Sequence, residues 1–373
     1  MSGLKFDVCI VCLNYISNDA RSLNLAISLV NMGKKVAVLC LKDNLSYKYC
    51  FELLTVDIEK GERLLKKMYI FYSAGKNFKI ISDYYVAAEL YSLPLASYLA
   101  GRSSAKLIYD SREIFSAIGN TFDQPLKQKF FTYLEKYYIH KVDSVIVSGK
   151  LDAEYLKGLF PKKIRFHLIM NVPEYQPPVK SNLLRQEFLI DDTTRILIYQ
   201  GMIMKGRGIE PAIRAIEGLE QCALVIMGQG DEMKNYFEKL VLELNLQNKV
   251  FFKSFVPYKE LHKWTSSADI GLALFEPISL SYKLALPNKL FEYCMAGLPS
   301  ISTNLPAISD VSIKYNFTKL IDYPINISKL QQNIIEISLP ANYQIMSGSA
   351  LEASKKFNYQ NQLPVIKEIF NKL

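Results

Sequence analysis

A glycine-rich, basic segment in the second half of the chain has the composition of a phosphate-binding loop. The run from Tyr199 to Gly208 reads YQGMIMKGRG, and it follows an apolar strand pattern and precedes a helical one. Gly201 lets the backbone turn where a side chain would obstruct a ligand. Lys205 and Arg207 supply cationic donors beside a helix N-terminus, which itself favours anions. This order of strand, glycine, cations and helix predicts a phosphate site, and the alternative is a solvated basic loop.

A lone carboxylate falls inside an apolar helical pattern later in the chain. The run from Leu286 to Pro299 reads LPNKLFEYCMAGLP, with Glu292 in its middle. A buried carboxylate without partners costs several kcal/mol or shifts its pKa, so we expect hydrogen-bond donors around it. Ribose hydroxyls are suitable donors, and an internal ion pair with Lys289 or another base is the alternative. The placement makes Glu292 a candidate functional residue.

Polar residues also follow two predicted strands in the first half of the chain. They are Asp110, Arg112 and Glu113 after one strand, and Asn18, Asp19 and Arg21 after the first strand. Ligand sites of parallel α/β sheets lie outside the carboxyl ends of the strands, so we expect these side chains to face a ligand. The alternatives are structural roles, with Asp110 capping a turn or helix and Asp19 serving as a helix N-cap.

Metal or redox chemistry is not indicated by the sequence. Cys9 and Cys12 are three apart on a predicted strand, where such residues face opposite sides, and a second ligand pair is missing. The three histidines, His140, His167 and His262, show no metal-ligand spacing and no triad pattern. We therefore expect neither a metal nor a bound cofactor.

Composition limits the class of protein and of partner. The chain has 373 residues, enough for two domains, and with 50% hydrophobic and 22% charged residues it is globular. A formal net charge of +9 favours anionic partners, namely phosphorylated small molecules, an acidic membrane surface or nucleic acid. The basic residues are dispersed, which argues against nucleic acid. The sequence shows neither a signal peptide nor an apolar run long enough to span a bilayer, so we expect a cytoplasmic protein.

The elements that must position these residues form two α/β series. The first opens with a strand over Phe6–Leu13, a helix ended by Gly33 and a strand over Lys35–Leu41, which is a βαβ unit and builds a parallel sheet. Further predicted strands are Lys67–Tyr72, Leu107–Tyr109 and Ser144–Val147, with helices around Tyr91–Ala100 and Pro125–His140.

A proline-containing linker over Asn171–Asp192 separates the two series. The second series has predicted strands at Arg195–Gln200, Ala223–Met227, Val250–Lys253, Asp269–Phe275 and Ser300–Thr303, and predicted helices at Glu210–Leu219, Asp231–Leu246 and Asn288–Ala296. The sequence thus predicts an α/β protein with Rossmann-like domains at 1–172 and 173–373, and a ligand cleft between them. The helical pattern that ends the chain is free to pack back on the first domain.

The run from Tyr199 through Pro306 resembles the retaining glycosyltransferases of family four, also called glycosyl transferases group 1, which have the GT-B fold. The resembling pieces are YQGMIMKGRG, LVIMGQGDE, VFFKSFVPYKEL, ADIGLALFEP and LPNKLFEYCMAGLPSISTNLP, with looser similarity in NDARSLNLAISLVNMGKKVAVL and IYDSREIF. The resemblance implies that Lys205 or Arg207 contacts the diphosphate of a nucleotide-sugar donor, and that Glu292 contacts its ribose. Asn288 and Lys289 begin the same helix and join the implied donor site.

For the first domain, the resemblance implies that Asn18, Arg21 and Asp110 lie on the acceptor side and that Arg112 and Glu113 belong with the catalytic residues. Two positions depart from the family. Leu284 stands eight positions before Glu292, where the family often has a second glutamate, and Glu276 does not fit that spacing. Arg112 stands where many members have a histidine.

The implied activity is transfer of a hexose from a nucleoside-diphosphate sugar with anomeric retention and without a metal, in polysaccharide or glycolipid synthesis. Two alternatives stay open. One is a nucleotide-sugar epimerase, and the other is a catalytically inactive partner that binds nucleotide-sugar in a membrane assembly.

A membrane contact is a further hypothesis. The run from Phe122 to Lys141 reads FDQPLKQKFFTYLEKYYIHK, and on a helix its aromatic residues would form a stripe flanked by lysines. Lysines near an anionic leaflet contribute about 1 kcal/mol each. The alternative is that the aromatic residues pack on the sheet and the lysines are merely solvated.

Overall fold

The computed structural model describes residues 4–43, 48–115 and 124–371 of the chain. Two compact units account for the fold. Unit 1 comprises Met1–Met170 and Leu363–Leu373, and unit 2 comprises Asn171–Gln362. Each unit is built on one sheet in which every strand pairing is parallel. The predicted fold class, α/β with two Rossmann-like domains, is confirmed.

Unit 1 holds a seven-stranded sheet in the order β3-β2-β1-β4-β5-β6-β7. The strands are β1 (Leu4–Tyr15), β2 (Val36–Leu41), β3 (Glu52–Val56), β4 (Ile80–Ala88), β5 (Lys106–Ser111), β6 (Ser144–Val147) and β7 (Arg165–Leu168). All six residues of β2, VAVLCL, are buried, as expected for a parallel strand covered on both faces. The strand order reverses between β1 and β4, and such a switch point is where ligands bind in open α/β sheets.

The helices that follow the strands of unit 1 are α1 (Ala20–Asn31), α2 (Leu64–Gly75), α3 (Leu93–Ser103), α4 (Pro125–Ile139) and α5 (Lys150–Leu159). Short 3₁₀ turns at Ile16–Asn18 and Leu90–Ser92 lead into α1 and α3. Asp19 is the N-cap of α1, because its carboxylate accepts a hydrogen bond from the Ser22 amide at 2.9 Å. This is the role that the sequence analysis gave as the alternative for Asp19.

The predicted strand at Lys67–Tyr72 is wrong, because this segment lies inside α2. Its β-branched and aromatic residues suggested a strand. The helical spacing decided the outcome, since Leu64, Met68 and Phe71 lie on one face and contact the core of unit 1. The preceding strand β3 and the following strand β4 were not predicted.

Unit 2 holds a six-stranded sheet in the order β10-β9-β8-β11-β12-β13. The strands are β8 (Arg195–Gln200), β9 (Cys222–Met227), β10 (Val250–Lys253), β11 (Ile270–Ala273), β12 (Ser300–Thr303) and β13 (Thr318–Ile321). The strand β8 lies between β9 and β11 and is buried from Ile196 to Gln200. Its last residues therefore lead from the interior of the sheet into the loop that begins at Gly201.

The helices of unit 2 are α6 (Leu183–Phe188), α7 (Ile209–Glu217), α8 (Asp231–Glu243), α9 (Tyr258–Thr265), α10 (Leu280–Leu284), α11 (Asn288–Met295), α12 (Pro306–Tyr315), α13 (Ile327–Ser338) and α14 (Pro340–Lys356). The last helix, α15 (Leu363–Phe370), belongs to unit 1. Its Phe370 is fully buried, with its ring 5.4 Å from that of Tyr84 on β4. Burial of an aromatic ring is what fixes this helix on the sheet of unit 1.

Candidate functional site

The loop from β8 to α7 has the geometry that a phosphate-binding loop requires. Gly201 has φ +127° and Gly208 has φ +67°, both in a region that side chains rarely adopt. A Cβ on Gly208 would lie 2.1 Å from the carbonyl oxygen of Leu274, so only glycine fits there. A Cβ on Gly201 would lie 3.4 Å from Nζ of Lys289. The loop thus places the backbone of Gly201 beside the Lys289 ammonium and lets the chain enter α7 at Gly208.

Two cations flank one aromatic ring beside this loop. The guanidinium of Arg207 lies 4.5 Å from the ring centroids of both Phe275 and Tyr282. The ammonium of Lys289 lies 3.7 Å from the ring of Tyr199 and 5.3 Å from that of Phe275. Such stacking holds the cations in place without neutralising their charge. Lys205, on the same loop, is exposed.

The electrostatics of this pair favour a bound anion. Lys289 is buried on α11, and burial together with the nearby charge of Arg207 lowers the pKa of its ammonium well below the ordinary value. Glu292 opposes that shift only in part. Nε of Arg207 is buried and has no hydrogen-bond partner among the described residues. An anion bound here would therefore relieve the repulsion and provide an acceptor.

Glu292 is held by a short relay of side chains. The hydroxyl of Thr265 donates to Oε1 of Gln200 at 2.7 Å, and Nε2 of Gln200 donates to Oε2 of Glu292. Burial raises the pKa of Glu292, and the Gln200 hydrogen bond and the Lys289 charge oppose that rise. A carboxylate oriented in this way can accept further hydrogen bonds from a ligand.

A small cavity opens beside the Glu292 carboxylate. Besides Glu292 it is lined by Pro173, Gln176, Tyr258, Leu261, His262, Thr265 and Met295. Three of the lining residues are apolar, Pro173, Leu261 and Met295, and the other five carry polar groups. This combination is typical of a small-molecule site, in which a few polar groups fix the orientation of the ligand.

The predicted residues of the first domain form one buried ion-pair network. Arg21 and Asp110 are bound through Nε and a terminal nitrogen, the shortest contact being 2.8 Å, and Arg21 also donates to the carbonyl of Ile169 at 2.8 Å. Arg112 bridges the two carboxylates, with 3.0 Å to Asp110 and 2.8 Å to Asp19. The structure thus brings together residues that follow β1 and β5.

The charges of this network balance each other. Burial opposes ionisation of Asp19 and Asp110, but Arg112 holds the pKa of Asp19 below its usual range, and Arg21 and Arg112 do the same for Asp110. These carboxylates are therefore ionised and fully engaged. Asn18 and Glu113, by contrast, are exposed. The roles of all these residues toward an acceptor stay predictions.

Comparison with known proteins relates the second half of the chain to one family. Residues 180–343 match the model of a family described as glycosyl transferases group 1. Over these residues the chain is similar to that family. An uncharacterized glycosyltransferase from Methanocaldococcus jannaschii is 25% identical over 194 residues, which are 50% of this chain and 46% of that protein. The chain spans about half the length of the relatives that it matches in this way.

Solved structures show the same fold across the whole chain. Sucrose-phosphate synthase from Thermosynechococcus elongatus superposes with a TM-score of 0.80 at 16% identity, covering 98% of each chain. The Anabaena protein HepE, solved in complex with UDP-glucose, superposes with a TM-score of 0.76 at 13% identity, covering 99% of this chain and 100% of that one. The predicted GT-B fold is thereby confirmed.

Within unit 2, some residues of the candidate site were missed in the sequence. Gln200 and Thr265 hold Glu292, and Tyr199 and Phe275 hold the cations. Gln200 carried a signal, because it is a polar residue that ends an apolar strand directly before Gly201. The aromatic contacts could not be read from spacing, since they join residues far apart in the sequence.

Glu276 occupies an informative place in the same domain. The sequence analysis set it aside because it lies sixteen positions before Glu292 and not eight. In the structure its backbone amide donates to the Gly206 carbonyl at 3.0 Å, and its carboxylate accepts a hydrogen bond from the Gly208 amide. Burial raises the pKa of Glu276, whereas the hydrogen bond from the Gly208 amide and the charge of Lys205 lower it. A carboxylate therefore does lie against the loop between β8 and α7, although position 284 is a leucine. Asn288, the first residue of α11, is exposed.

The described part of the chain shows neither a cluster of metal ligands nor a membrane-spanning helix. Across residues 4–43, 48–115 and 124–371, no group of three or more His, Cys, Asp or Glu side chains is arranged to hold a metal ion. The helices within these ranges are all too short or too polar to cross a bilayer.

Proposed function

We propose that this protein transfers a hexose from a nucleoside-diphosphate sugar to a hydroxyl acceptor, with anomeric retention and without a metal ion. The observation that carries the proposal is the pair of cations around Phe275. Arg207 directly precedes Gly208 at the start of α7, and Lys289 lies beside Gly201. A diphosphate bound here would find two basic side chains, backbone amides and the helix dipole together, and its negative charge would favour the protonated form of Lys289.

This arrangement suits the leaving group of such a reaction. As the glycosidic bond breaks, the negative charge on the diphosphate grows. Arg207, Lys289 and the exposed Lys205 stabilise that charge, and Gly201 leaves room for the phosphates. One well-aimed donor contributes roughly 3–4 kcal/mol to lowering such a barrier. The proposal therefore needs no divalent cation at the diphosphate.

Glu292 completes the donor site as the acceptor for ribose hydroxyls. Gln200 fixes the carboxylate, and the cavity beside it offers both apolar and polar side chains to a nucleoside. Asn288 begins the same helix and joins the donor site at its exposed end. The complex of HepE with UDP-glucose makes this nucleotide-sugar the first donor to assay.

We assign the acceptor to unit 1, at the switch point between β1 and β4. Asn18 and Glu113 are exposed there. Arg112 stands where the resemblance implies a histidine. It is positioned by Asp19 and Asp110, and Arg21 anchors Asp110. The network therefore fixes the Arg112 guanidinium before any ligand binds.

An anionic membrane surface is the partner that fits α4, and it supports a role in polysaccharide or glycolipid synthesis. Leu126, Phe130, Tyr133 and Tyr137 share one face of α4 and are exposed at 82, 43, 70 and 54%. The opposite face is buried through Phe131, and Leu134 and Tyr138 contact the core. The hypothesis and its alternative thus each describe one face of this helix.

The lysines around the aromatic face of α4 support a contact with an anionic membrane. Lys127, Lys129, Lys136 and Lys141 are all exposed and flank the aromatic face. An aromatic face bordered by lysines is the composition of helices that lie in the membrane interface. Phe122 and Asp123, at the start of the run considered in the sequence, lie outside the described residues.

The experiment is a product assay with UDP-glucose and a glycolipid acceptor, with and without excess chelator. We expect release of UDP, a glycosylated product with the donor's anomeric configuration, and full activity in chelator. Isomerised nucleotide-sugar would instead identify an epimerase, and binding without turnover an inactive partner. Activity that is lost in chelator and restored by magnesium would contradict the metal-free mechanism.

A further inference from the structure

Glu89 has a backbone conformation that is almost confined to glycine. It directly follows β4, with φ 67° and ψ 167°. Three other residues with positive φ, Ser104, Leu189 and Asn316, have ψ between 34° and 41° and lie in the ordinary left-handed helical region. The conformation of Glu89 costs a non-glycine residue free energy, and such residues concentrate at functional sites.

The surrounding chain enforces this conformation. The Glu89 amide donates to the carbonyl of Asp110 at 3.1 Å, and the Glu89 carbonyl accepts from the Ser92 amide at 3.3 Å. The Ser92 hydroxyl in turn accepts from the Leu13 amide at 2.9 Å. Glu89 is therefore fixed between the carboxyl ends of β1 and β5, at the switch point of the sheet.

The carboxylate of Glu89 has no evident structural task. It precedes a 3₁₀ turn but makes no side-chain capping hydrogen bond to it. Its nearest ion-pair partner, Arg112, is 3.7 Å away and already donates to Asp19, Asp110 and Ser22. The Glu89 side chain is 38% exposed. A strained residue thus holds a partly buried carboxylate beside a network that is neutral without it.

The surroundings of Glu89 disfavour its charge. Burial raises the pKa of Glu89 to about 7, Arg112 opposes that rise, and Asp19, Glu113 and Asp110 add to it. The titratable groups that face Glu89 are Arg112, Asp19, Asp110 and Glu113 together with Cys12, Tyr91 and Tyr109. A hydroxyl donor would restore the hydrogen bonding that the ionised carboxylate lacks.

We propose that Glu89 accepts a hydrogen bond from a hydroxyl of the sugar acceptor and thereby selects it. The inference rests on the proposed function, because it assigns the acceptor to the switch point of unit 1. Glu89 is here a binding and specificity residue. The strained backbone and the disfavoured charge of Glu89 both lower the stability of the folded protein. Under this proposal, that loss of stability is the cost of keeping a carboxylate where the acceptor binds.

The first test compares thermal unfolding of Glu89→Gly, Glu89→Gln and the wild-type chain. Glycine relieves the strain, so we expect Glu89→Gly to raise Tm by roughly 2–4 °C. Ser104→Gly is the matched control, because it relieves an ordinary left-handed residue on the exposed end of α3. A Tm that falls in both Glu89 variants would show that the carboxylate is structural and overturn the proposal.

The second test measures glucose binding by saturation-transfer NMR at pH 6 and pH 8. With a pKa of about 7, the ionised fraction of Glu89 rises about tenfold over this interval, so the wild-type affinity for glucose should rise about tenfold. Glu89→Gln should bind about tenfold more weakly than wild type at pH 8 and lose the pH dependence, and Ser104→Gly should keep both. Wild-type protein that does not bind glucose, or a Gln variant with unchanged affinity and pH dependence, would overturn the proposal.

Calorimetric titration of the same variants with UDP separates this proposal from the proposed function. Glu89 variants should bind UDP like wild type, because the donor residues lie in unit 2. If wild-type protein binds no nucleoside diphosphate, the proposed function fails while the glucose measurements still decide the role of Glu89.

Discussion

Arg207 combines a charge with a planar surface, and both are used. Its guanidinium lies 4.5 Å from two ring centroids, and a planar guanidinium can stack on a ring in a way that a lysine ammonium cannot. We predict that Lys205→Ala combined with Arg207→Ala lowers kcat more than it weakens nucleotide binding, because the opposing charge grows in the transition state. Steady-state kinetics together with calorimetry measure the two effects.

Arg207→Lys is the control that separates charge from stacking. It keeps the charge but loses the contacts with Phe275 and Tyr282. We expect a kcat between those of wild type and Arg207→Ala. Equal losses in kcat and in nucleotide affinity for the double variant would argue that these cations bind ground state and transition state alike.

Glu292→Gln should weaken nucleoside-diphosphate binding about tenfold and leave the fold intact. A neutral amide accepts hydrogen bonds from ribose less strongly than a carboxylate. The fold should persist because Gln200 can still donate to the remaining carbonyl oxygen. Thr265→Val is the companion variant, since it removes only the hydroxyl that orients Gln200. A folded Glu292→Gln protein with wild-type affinity would refute the ribose assignment.

At the residue scale, the sequence singled out the charged candidate residues but not the side chains that contact them. The positions of Lys205, Arg207 and Glu292 followed from the order of glycines, cations and apolar residues. The aromatic partners of Arg207 did not, because ring contacts depend on how β11 and α10 pack. Glu89 was also missed, since a strained backbone leaves no trace in residue type.

At the element scale, α4 makes a test of membrane binding possible. We predict that the protein co-sediments with vesicles containing anionic lipid at low salt and is released at high salt, because lysine contacts with lipid headgroups are screened. Lys129→Glu combined with Lys136→Glu should abolish the binding. Lys239→Glu combined with Lys263→Glu, on exposed positions of α8 and α9, is the control and should keep it. Equal binding to neutral vesicles would count against an electrostatic surface.

The buried face of α4 predicts a pH dependence of stability. Burial raises the pKa of Glu135 to about 7, and a hydrogen bond from the Tyr109 hydroxyl at 2.8 Å opposes that rise. A carboxyl group with a raised pKa in the folded state binds more protons there than in the unfolded state. Glu135 should therefore cost stability progressively as pH rises from about 4.5 to 7, by up to about 3 kcal/mol.

Urea unfolding of wild type and Glu135→Gln at pH 5, 6, 7 and 8 checks this expectation. The variant keeps the acceptor for Tyr109 but cannot ionise, so it should gain stability relative to wild type as pH rises. A difference in unfolding free energy that stays constant across this range would mean that Glu135 does not titrate there.

Elements with long, regular patterns were predictable, and short or mixed ones were not. The strand β2 and the helices α3 and α4 followed from apolar runs and helical spacing. The segment Lys67–Tyr72 was assigned to a strand on residue type, although its contacts with the core have helical spacing. The local preference for a strand was overridden by packing.

At the scale of the whole molecule, the chain returns to unit 1 after completing unit 2. The sequence predicted two Rossmann-like domains because two α/β series flank a proline-containing segment. It left open where the final helix packs, because an amphipathic pattern shows that a helix has a buried face but not which element covers that face. Burial of Phe370 against Tyr84 settles that question in the structure.

The central claim is that unit 2 binds a nucleoside diphosphate, and calorimetric titration with UDP, GDP and ADP tests it most directly. We predict saturable binding of at least one of them without added metal, and weaker binding of the corresponding monophosphate. Lys205→Ala combined with Arg207→Ala should reduce the difference in affinity between the diphosphate and the monophosphate. Failure of all three diphosphates to bind to folded wild-type protein would contradict the account.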